Sequence, residues 1–372
     1  MPLNLPPAAL VGAPLSDVDT PALLLDLAAF ERNVARMQAA VSAAGLFLRP
    51  HAKAHKTPAI ALAQIAAGAV GVCCQKISEA LPFIDAGVRS IHISNEVGSL
   101  KKAALLAEAA LHAHMSVCVD HESQVAMLAQ ATAAAGTKLD VFVEIDIGQQ
   151  RCGVAGAPEV MRLLEALAPH GQLRFAGLQA YQGRVQHLRG HAERLEAARR
   201  ASDRAAAVVA ALLAQGVRCE TVTGGGTGSV EFDLQSGVYT EMQAGSYIGM
   251  DVDYGLNEYA GELRFEHALF LASRVMSHGD GSRAVVDAGL KSLAVDSGLP
   301  TVWRRELDYT VISDEHGTVM PRAGAAMPGL DELLLLVPGH CDPTFNLHDE
   351  LVCFRDERVE AIWPIAARGL SR

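Results

Sequence analysis

The sequence predicts an α/β chain, a (β/α)8 TIM barrel carrying an additional C-terminal all-β domain. Three observations predict it. Eight short β-rich runs alternate with Ala/Leu-rich helical segments through the first two thirds of the chain. Each run ends in polar or glycine residues, where a strand turns into a loop. After Tyr254 the helical segments stop and short alternating runs take over.

In order, the runs are LFLRPHAK ending at Lys53, VGVCCQ ending at Gln75, SIHISN ending at Asn95 and MSVCVD ending at Asp120. LDVFVEID ends at Asp146, LRFAGLQAY at Tyr181, CETVTGG at Gly225 and MQAGSYI at Ile248. Parallel neighbours need a crossover, and helical patterns such as ESQVAMLAQATAAAG supply it. The interval from Gly225 to Met242 shows the poorest helical pattern. A doubly wound open sheet is the competing topology, and the count of eight disfavours it. Residues 20–255 are thus expected to form the barrel, and 256–372 with the N-terminal segment 1–19 the β domain. The run DTPALLLD could add a strand to either.

A chain of 372 residues, half of them hydrophobic and 20% charged, has ample material for a core of this size. Its net charge of -11 argues against nucleic acid as a partner. The proline-containing N-terminus lacks a basic region and does not read as a signal peptide. The uncharged stretch Thr57–Gln75 is interrupted by Gln64, Gly68 and Gly71 and reads as a buried helix, turn and strand rather than a membrane span. Seven scattered cysteines without a CxxC pair point to a reducing, cytoplasmic setting.

Parallel barrels place their chemistry where strands end. Lys53 closes the first run, where shielding from water would favour the neutral amine that a Schiff base needs. The alternative is a surface loop with two ordinary lysines, Lys53 and Lys56. The seventh run ends in Thr223-Gly224-Gly225-Gly226-Thr227, whose backbone N–H groups can close round a phosphate. Gly245 and Ser246 at the eighth strand end could complete the cup. Arg151, after the fifth strand, could meet a pyridine nitrogen or a carboxylate, or form a structural ion pair. In the C-terminal part, His340 and Asp342 stand two apart, so an extended segment would point both to one side. An imidazole and a carboxylate suit Mn2+, Mg2+, Co2+ or Zn2+. A hydrogen-bonded His–Asp pair is the alternative.

RPHAKAHK, GVCCQKISEALPF, HISNEV, EIDIGQQRCGV, GLQAYQG, TGGGTGSVEFD, QAGSYIGMDVDYG, DAGLK and GHCDPTFNLHDE together resemble the D-threonine aldolase family, within the alanine-racemase-like class of pyridoxal-phosphate enzymes. The resemblance spans about Asp19 to Gly369. It implies that Lys53, rather than Lys56, holds pyridoxal 5'-phosphate and that Arg151, whose guanidinium keeps its proton, faces the pyridine nitrogen. It places Tyr181 beside the cofactor and Gly225, Gly226 and Thr227 on its phosphate. Gln75, Thr223, Gly245, Ser246 and Tyr247 complete the expected cofactor set. His340 and Asp342 match the family's metal ligands, with manganese the expected ion. His187 matches a catalytic base, although spacing alone would leave it an ordinary loop histidine. The implied activity is cleavage of a β-hydroxy-D-amino acid to glycine and an aldehyde by a homodimer. VDSGLP and VPGHCDPT look at least as much like β-hydroxyaspartate aldolases, which release glyoxylate; RPHAKAHK and ARGLSR look more like D-threonine aldolases. D-serine-type dehydratases carry Cys where this chain has Asp342. An alanine-type racemase, which needs no metal and is told apart by chelation, and a non-catalytic cofactor carrier are the remaining rivals; the long β domain with its His-x-Asp pair speaks against the carrier.

Overall fold

The computed structural model describes residues 6–279 and 281–372. Each of the eight runs forms a strand: β2 (Phe47–Leu48), β3 (Val72–Cys74), β4 (Ser90–Glu96), β5 (His114–Val119), β6 (Leu139–Glu144), β7 (Leu173–Ala180), β8 (Thr221–Gly224) and β9 (Glu241–Met242). They follow β1 (Ala22–Asp26) in the chain. All neighbours in the order β2-β9-β8-β7-β6-β5-β4-β3 are parallel. The two ends of this sheet meet through Val70 N–H to Leu48 O and Cys73 N–H to Pro50 O, both 2.8 Å, which curls it into a barrel. Such strands are covered on both faces, hence the unbroken apolar runs.

α1 (Leu27–Ala43) leads from β1 into β2, and the crossovers are α2 (Pro58–Ala66), α3 (Ile77–Asp85), α4 (Leu100–Ala109), α5 (Glu122–Ala135), α6 (Ala157–Leu167) and α7 (His191–Ala214). Their limits follow local chemistry. Asp26 caps α1 by accepting the Ala29 N–H at 3.1 Å, and Gly136 ends α5 with a left-handed φ of 67°. The crossover with the poorest helical pattern holds only the single turn α8 (Val230–Asp233). Inside the barrel, polar side chains replace the usual branched layers. His92 bonds Ser116 at 2.9 Å and Gln179 at 3.3 Å, and Gln243 joins Gln179 (2.8 Å) to Thr223 (2.9 Å). Thr223 donates to Glu241 at 2.8 Å, and Glu241 holds Arg49 at 3.0 Å. Burial pushes the His92 ring down to about 3, so it sits there neutral. This network is the floor beneath the strand ends.

The second sheet gathers β10 (Leu269–Ser277), β11 (Ala284–Val286), β12 (Thr301–Val302), β13 (Leu307–Ile312), β14 (Gly317–Pro321), β15 (Leu333–Val337), β16 (Glu350–Arg355) and β17 (Arg358–Pro364). β1 lies in its middle, antiparallel to β10 with Ala22 opposite Ala272, and parallel to β16 with Leu24 opposite Val352. The run left open by the sequence therefore joins the C-terminal sheet, not the barrel. Two further helices are short, α9 (Val252–Gly255) and α10 (Cys341–Phe345). Among the described residues no helix is long and apolar enough to cross a membrane.

Candidate active site

The segment after β2 makes a tight turn over Ala52–Ala54, capped by His51 Nδ1, which accepts the Lys53 N–H at 3.3 Å. This turn lifts Lys53 to the barrel mouth, where its side chain is 41% exposed. Its amine bonds the Asp342 carboxylate of the second domain. Shielding alone would lower the amine, as expected from the sequence. Here burial is outweighed by Asp342, and the amine is held above its usual range. Asp342 responds in the opposite sense: burial is overcome by Lys53, and its carboxyl lies below the carboxylate range. Lys56 is engaged elsewhere, with its amine 2.9 Å from buried Glu79.

Lys53, Gln75, Arg151 and Tyr181 line one cleft with Gly225, Gly226 and Thr227. Gly245 and Ser246 close the same wall. The cleft holds about 500 Å³, its open mouth included. Its glycines are obligatory. Gly225 has φ 73°, and a Cβ there would meet Met242 Cε at 2.2 Å. A Cβ on Gly226 would meet Gln186 Oε1 at 2.5 Å, and one on Gly245 the His51 carbonyl at 2.6 Å. Thr227 Oγ1 already accepts the Tyr247 N–H at 3.1 Å, leaving its own O–H to donate into the cleft. A bare, backbone-lined cradle with a hydroxyl donor suits a phosphate, and an amine at the opposite lip suits an aldehyde.

Two members of the expected cofactor set, Thr223 and Tyr247, lie outside the lining of this cleft. Thr223 is fully buried and spends its hydroxyl on Glu241 and Gln243 within the floor. Tyr247 turns into the core, where its hydroxyl accepts from Gln64 at 2.9 Å and its ring packs on Phe265. The sequence reading passed over His51, Ser94, Gln179, Gln243 and Tyr254, all of which line the cleft. His51 Nε2 and Ser94 Oγ are 2.8 Å apart, and RPHAK places His51 two residues before the lysine, the one signal available.

The Arg151 guanidinium lies 5.7 Å from the Tyr181 ring centroid and 3.8 Å from Glu144. Burial, with Glu96 close by, pushes the Glu144 carboxyl up. Glu96 also faces Asp120 and Cys152, and among the described residues this is the one group of three with metal-ligand atoms in reach of each other. Asp120 is already occupied there by Gly153 N–H (3.0 Å) and Gln124 (2.8 Å). Burial and then Glu96 push the Cys152 thiol up to about 12.

His340 and Asp342 do not share an extended segment. His340 is extended (φ -142°, ψ 124°) and caps α10, in whose first turn Asp342 lies. The chain reaches this point through a close backbone crossing, because a Cβ on Gly339 would lie 1.9 Å from the Gly298 carbonyl. The crossing sets Asp296 against His340, 2.7 Å from Nδ1, and Ser297 3.4 Å away. Nε2 remains open, as in metal sites where a carboxylate orients the imidazole. Asp342 Oδ1 accepts from Ser246 at 3.1 Å. One imidazole nitrogen and one oriented carboxylate fit a borderline-to-hard divalent ion. His187 follows β7 on a short helical turn, Gly183–His187, and its ring lies 5.5 Å from that of Tyr254. Its Nδ1 bonds the Asp253 carboxylate.

Residues 25–252 match the model for the alanine racemase N-terminal domain, and 268–354 a serine dehydratase domain. A D-threonine aldolase from Arthrobacter sp. is 53% identical over 371 residues, covering 100% of this chain and 98% of the relative. A 3-hydroxy-D-aspartate aldolase from Paracoccus denitrificans (strain Pd 1222) is 43% identical over 97% of this chain and 95% of its own length. The crystal structure of a D-threonine aldolase from Filomicrobium marinum superposes with a TM-score of 0.96 at 50% identity, covering 98% of this chain and 100% of that one. With full-length identity at this level over the same two domains, the chain belongs to the D-threonine aldolase family, in the alanine-racemase-like class of pyridoxal-phosphate enzymes.

Proposed function

We propose that the protein is a carbon–carbon lyase that cleaves β-hydroxy-D-amino acids of the D-threonine type to glycine and an aldehyde, with pyridoxal phosphate held at Lys53 and a divalent metal at His340 and Asp342. The contact between Lys53 and Asp342 carries this reading, because it joins the amine of the barrel directly to the carboxylate of the second domain. When bound, the cofactor supplies a sink for the electron pair of the broken Cα–Cβ bond, and the metal a positive charge that acidifies the β-hydroxyl.

The chain's own groups divide the remaining work. Gly225, Gly226 and Thr227 anchor the phosphate and so fix the ring's position. Arg151, lying over Tyr181, provides a permanent cation for the ring nitrogen. His187 takes the β-hydroxyl proton as the carbonyl of the leaving aldehyde forms. Asp342 and His340 together favour activation at the hydroxyl over removal of the α-proton, which separates this chemistry from racemisation. Manganese heads the candidate ions, with Mg2+, Co2+ and Zn2+ behind it. The seven free cysteines accord with a cytoplasmic setting. The homodimer rests on the family resemblance alone.

The test is a panel of D-threonine, D-phenylserine and D-3-hydroxyaspartate, assayed for glycine with and without Mn2+. Metal-dependent release of glycine and acetaldehyde from D-threonine is expected. Ammonia and a 2-oxo acid in place of glycine would make the protein a dehydratase.

A further inference from the structure

Asp253, on the single turn α9, is buried, yet its carboxylate meets two charged or polar partners. One oxygen bonds Nδ1 of His187, and the other bonds Nη2 of Arg189. Arg189 is fixed in turn by Nη1, which donates to the Asp253 carbonyl at 2.5 Å and to Asn257 Oδ1 at 2.8 Å. The Asp253 N–H donates to the Gly339 carbonyl at 3.2 Å, one residue before His340. Two residues earlier, Asp251 Oδ2 accepts the Cys341 N–H at 2.8 Å. The Asp251–Asp253 stretch is thus a strut between the His187 loop and the metal-ligand segment.

We propose that Asp253 is the positioning residue of His187, holding its ring in the tautomer with the proton on Nδ1, so that Nε2 is left as an acceptor. The inference rests on the reading of His187 as the base. Its logic follows from the hydrogen-bond inventory. A carboxylate can only accept, so the nitrogen facing it must donate, and the other nitrogen of a neutral ring carries the lone pair. The partner on the other side sharpens the point, because a guanidinium can only donate. Arg189 therefore dictates what an amide at this position would do. In the Asp253→Asn variant the single oxygen is drawn to Arg189, and the NH2 group is turned to His187. Nδ1 must then accept, the proton moves to Nε2, and the ring can no longer take the substrate's proton.

Asp253→Asn is expected to lower kcat about 100-fold or more, the usual worth of a general base. KM, the visible absorbance of bound cofactor and the Mn2+ affinity should stay within about threefold, since uniform binding is untouched. Adding Arg189→Met to Asp253→Asn frees the amide to rotate its oxygen toward His187 and should restore kcat about tenfold or more over the single variant. A group that merely props up the fold would show no such rescue, because removing a second partner only adds damage. Imidazole 15N shifts of His187 should report Nδ1–H in the parent and Nε2–H in Asp253→Asn. A kcat within threefold of the parent, or a double variant no better than the single, would overturn the proposal. If His187→Phe itself leaves glycine release intact, the base reading fails, while the 15N shifts still decide whether Asp253 sets the tautomer.

Discussion

Removing the metal should weaken the protein's hold on pyridoxal phosphate, although the two ligands use different residues. The Lys53 amine and the Asp342 carboxylate satisfy each other. The cofactor needs the amine, and the metal needs the carboxylate, so whichever arrives first must break the pair. The second then binds without that cost, which makes the coupling positive. Its size is the worth of the pair. A charged hydrogen bond shielded from water contributes about 1.5–3 kcal/mol, and an exposed ion pair less than about 1. Asp342 is 14% exposed but Lys53 is 41% exposed, so solvent discounts the upper figure to about 1–2 kcal/mol. That corresponds to a factor of about 5–30 in affinity. The assay titrates cofactor into metal-stripped protein in EDTA and into protein saturated with Mn2+, following the visible absorbance. Reciprocity demands that the cofactor raise Mn2+ affinity by the same factor. Asp342→Ala should make cofactor affinity indifferent to Mn2+. Equal affinities with and without metal in the parent, or weaker binding with metal, would refute the reasoning.

Three more outcomes follow, two from the cradle or the groups behind it and one from a control glycine outside it. Gly225→Ala forces a left-handed φ of 73° on alanine, at about 1–2 kcal/mol, and drives a methyl into Met242. Cofactor affinity should fall about tenfold or more. Gly216→Ala (φ 82°, open space) should lower Tm but leave cofactor titrations unchanged. Behind the cradle, burial pushes the Asp233 carboxyl up to about 7, against the opposing pull of the Ser229 hydroxyl and Gly226 N–H. Its folded value lies above the unfolded value of about 3.9, so the folded state holds the extra proton between them. Its contribution is therefore complete below about pH 4 and lost as pH rises to about 7, by at most about 4 kcal/mol. Urea melts from pH 4 to 8 should show that decline in the parent relative to Asp233→Asn; parallel profiles would contradict it.

The barrel was legible in the sequence because strands covered on both faces leave runs such as MSVCVD and LDVFVEID, and helices between them leave another period. Lys53, Arg151 and the Gly225–Thr227 cradle were legible for a related reason, since a strand end is a place in the sequence as well as in space. The inward turn of the Thr223 and Tyr247 side chains was not legible, because a motif does not say which of its side chains turn inward. Thr223 points into a polar floor assembled from five strands, and Tyr247 toward Gln64, 183 residues away. His340 and Asp342 were paired by their spacing, and the geometry behind that spacing is a cap and a helical turn, not an extended segment. Their partners were not found. Asp296 reaches His340 through a backbone crossing, and Lys53 and Asp342 are separated by 289 positions. Pairings of that kind arise only once both domains have closed on each other.

β1 also decides how the molecule is threaded. The chain leaves the second sheet at Asp26 and returns at Ala268, and these two residues are hydrogen-bonded to one another at 2.8 Å. The whole barrel is therefore a cassette inserted through one doorway into a sheet with one strand before it in the chain and eight after it. During synthesis the cassette is complete about a hundred residues before Val352 emerges to flank Leu24. The barrel is ready first, and the second sheet is finished only when the last strands arrive.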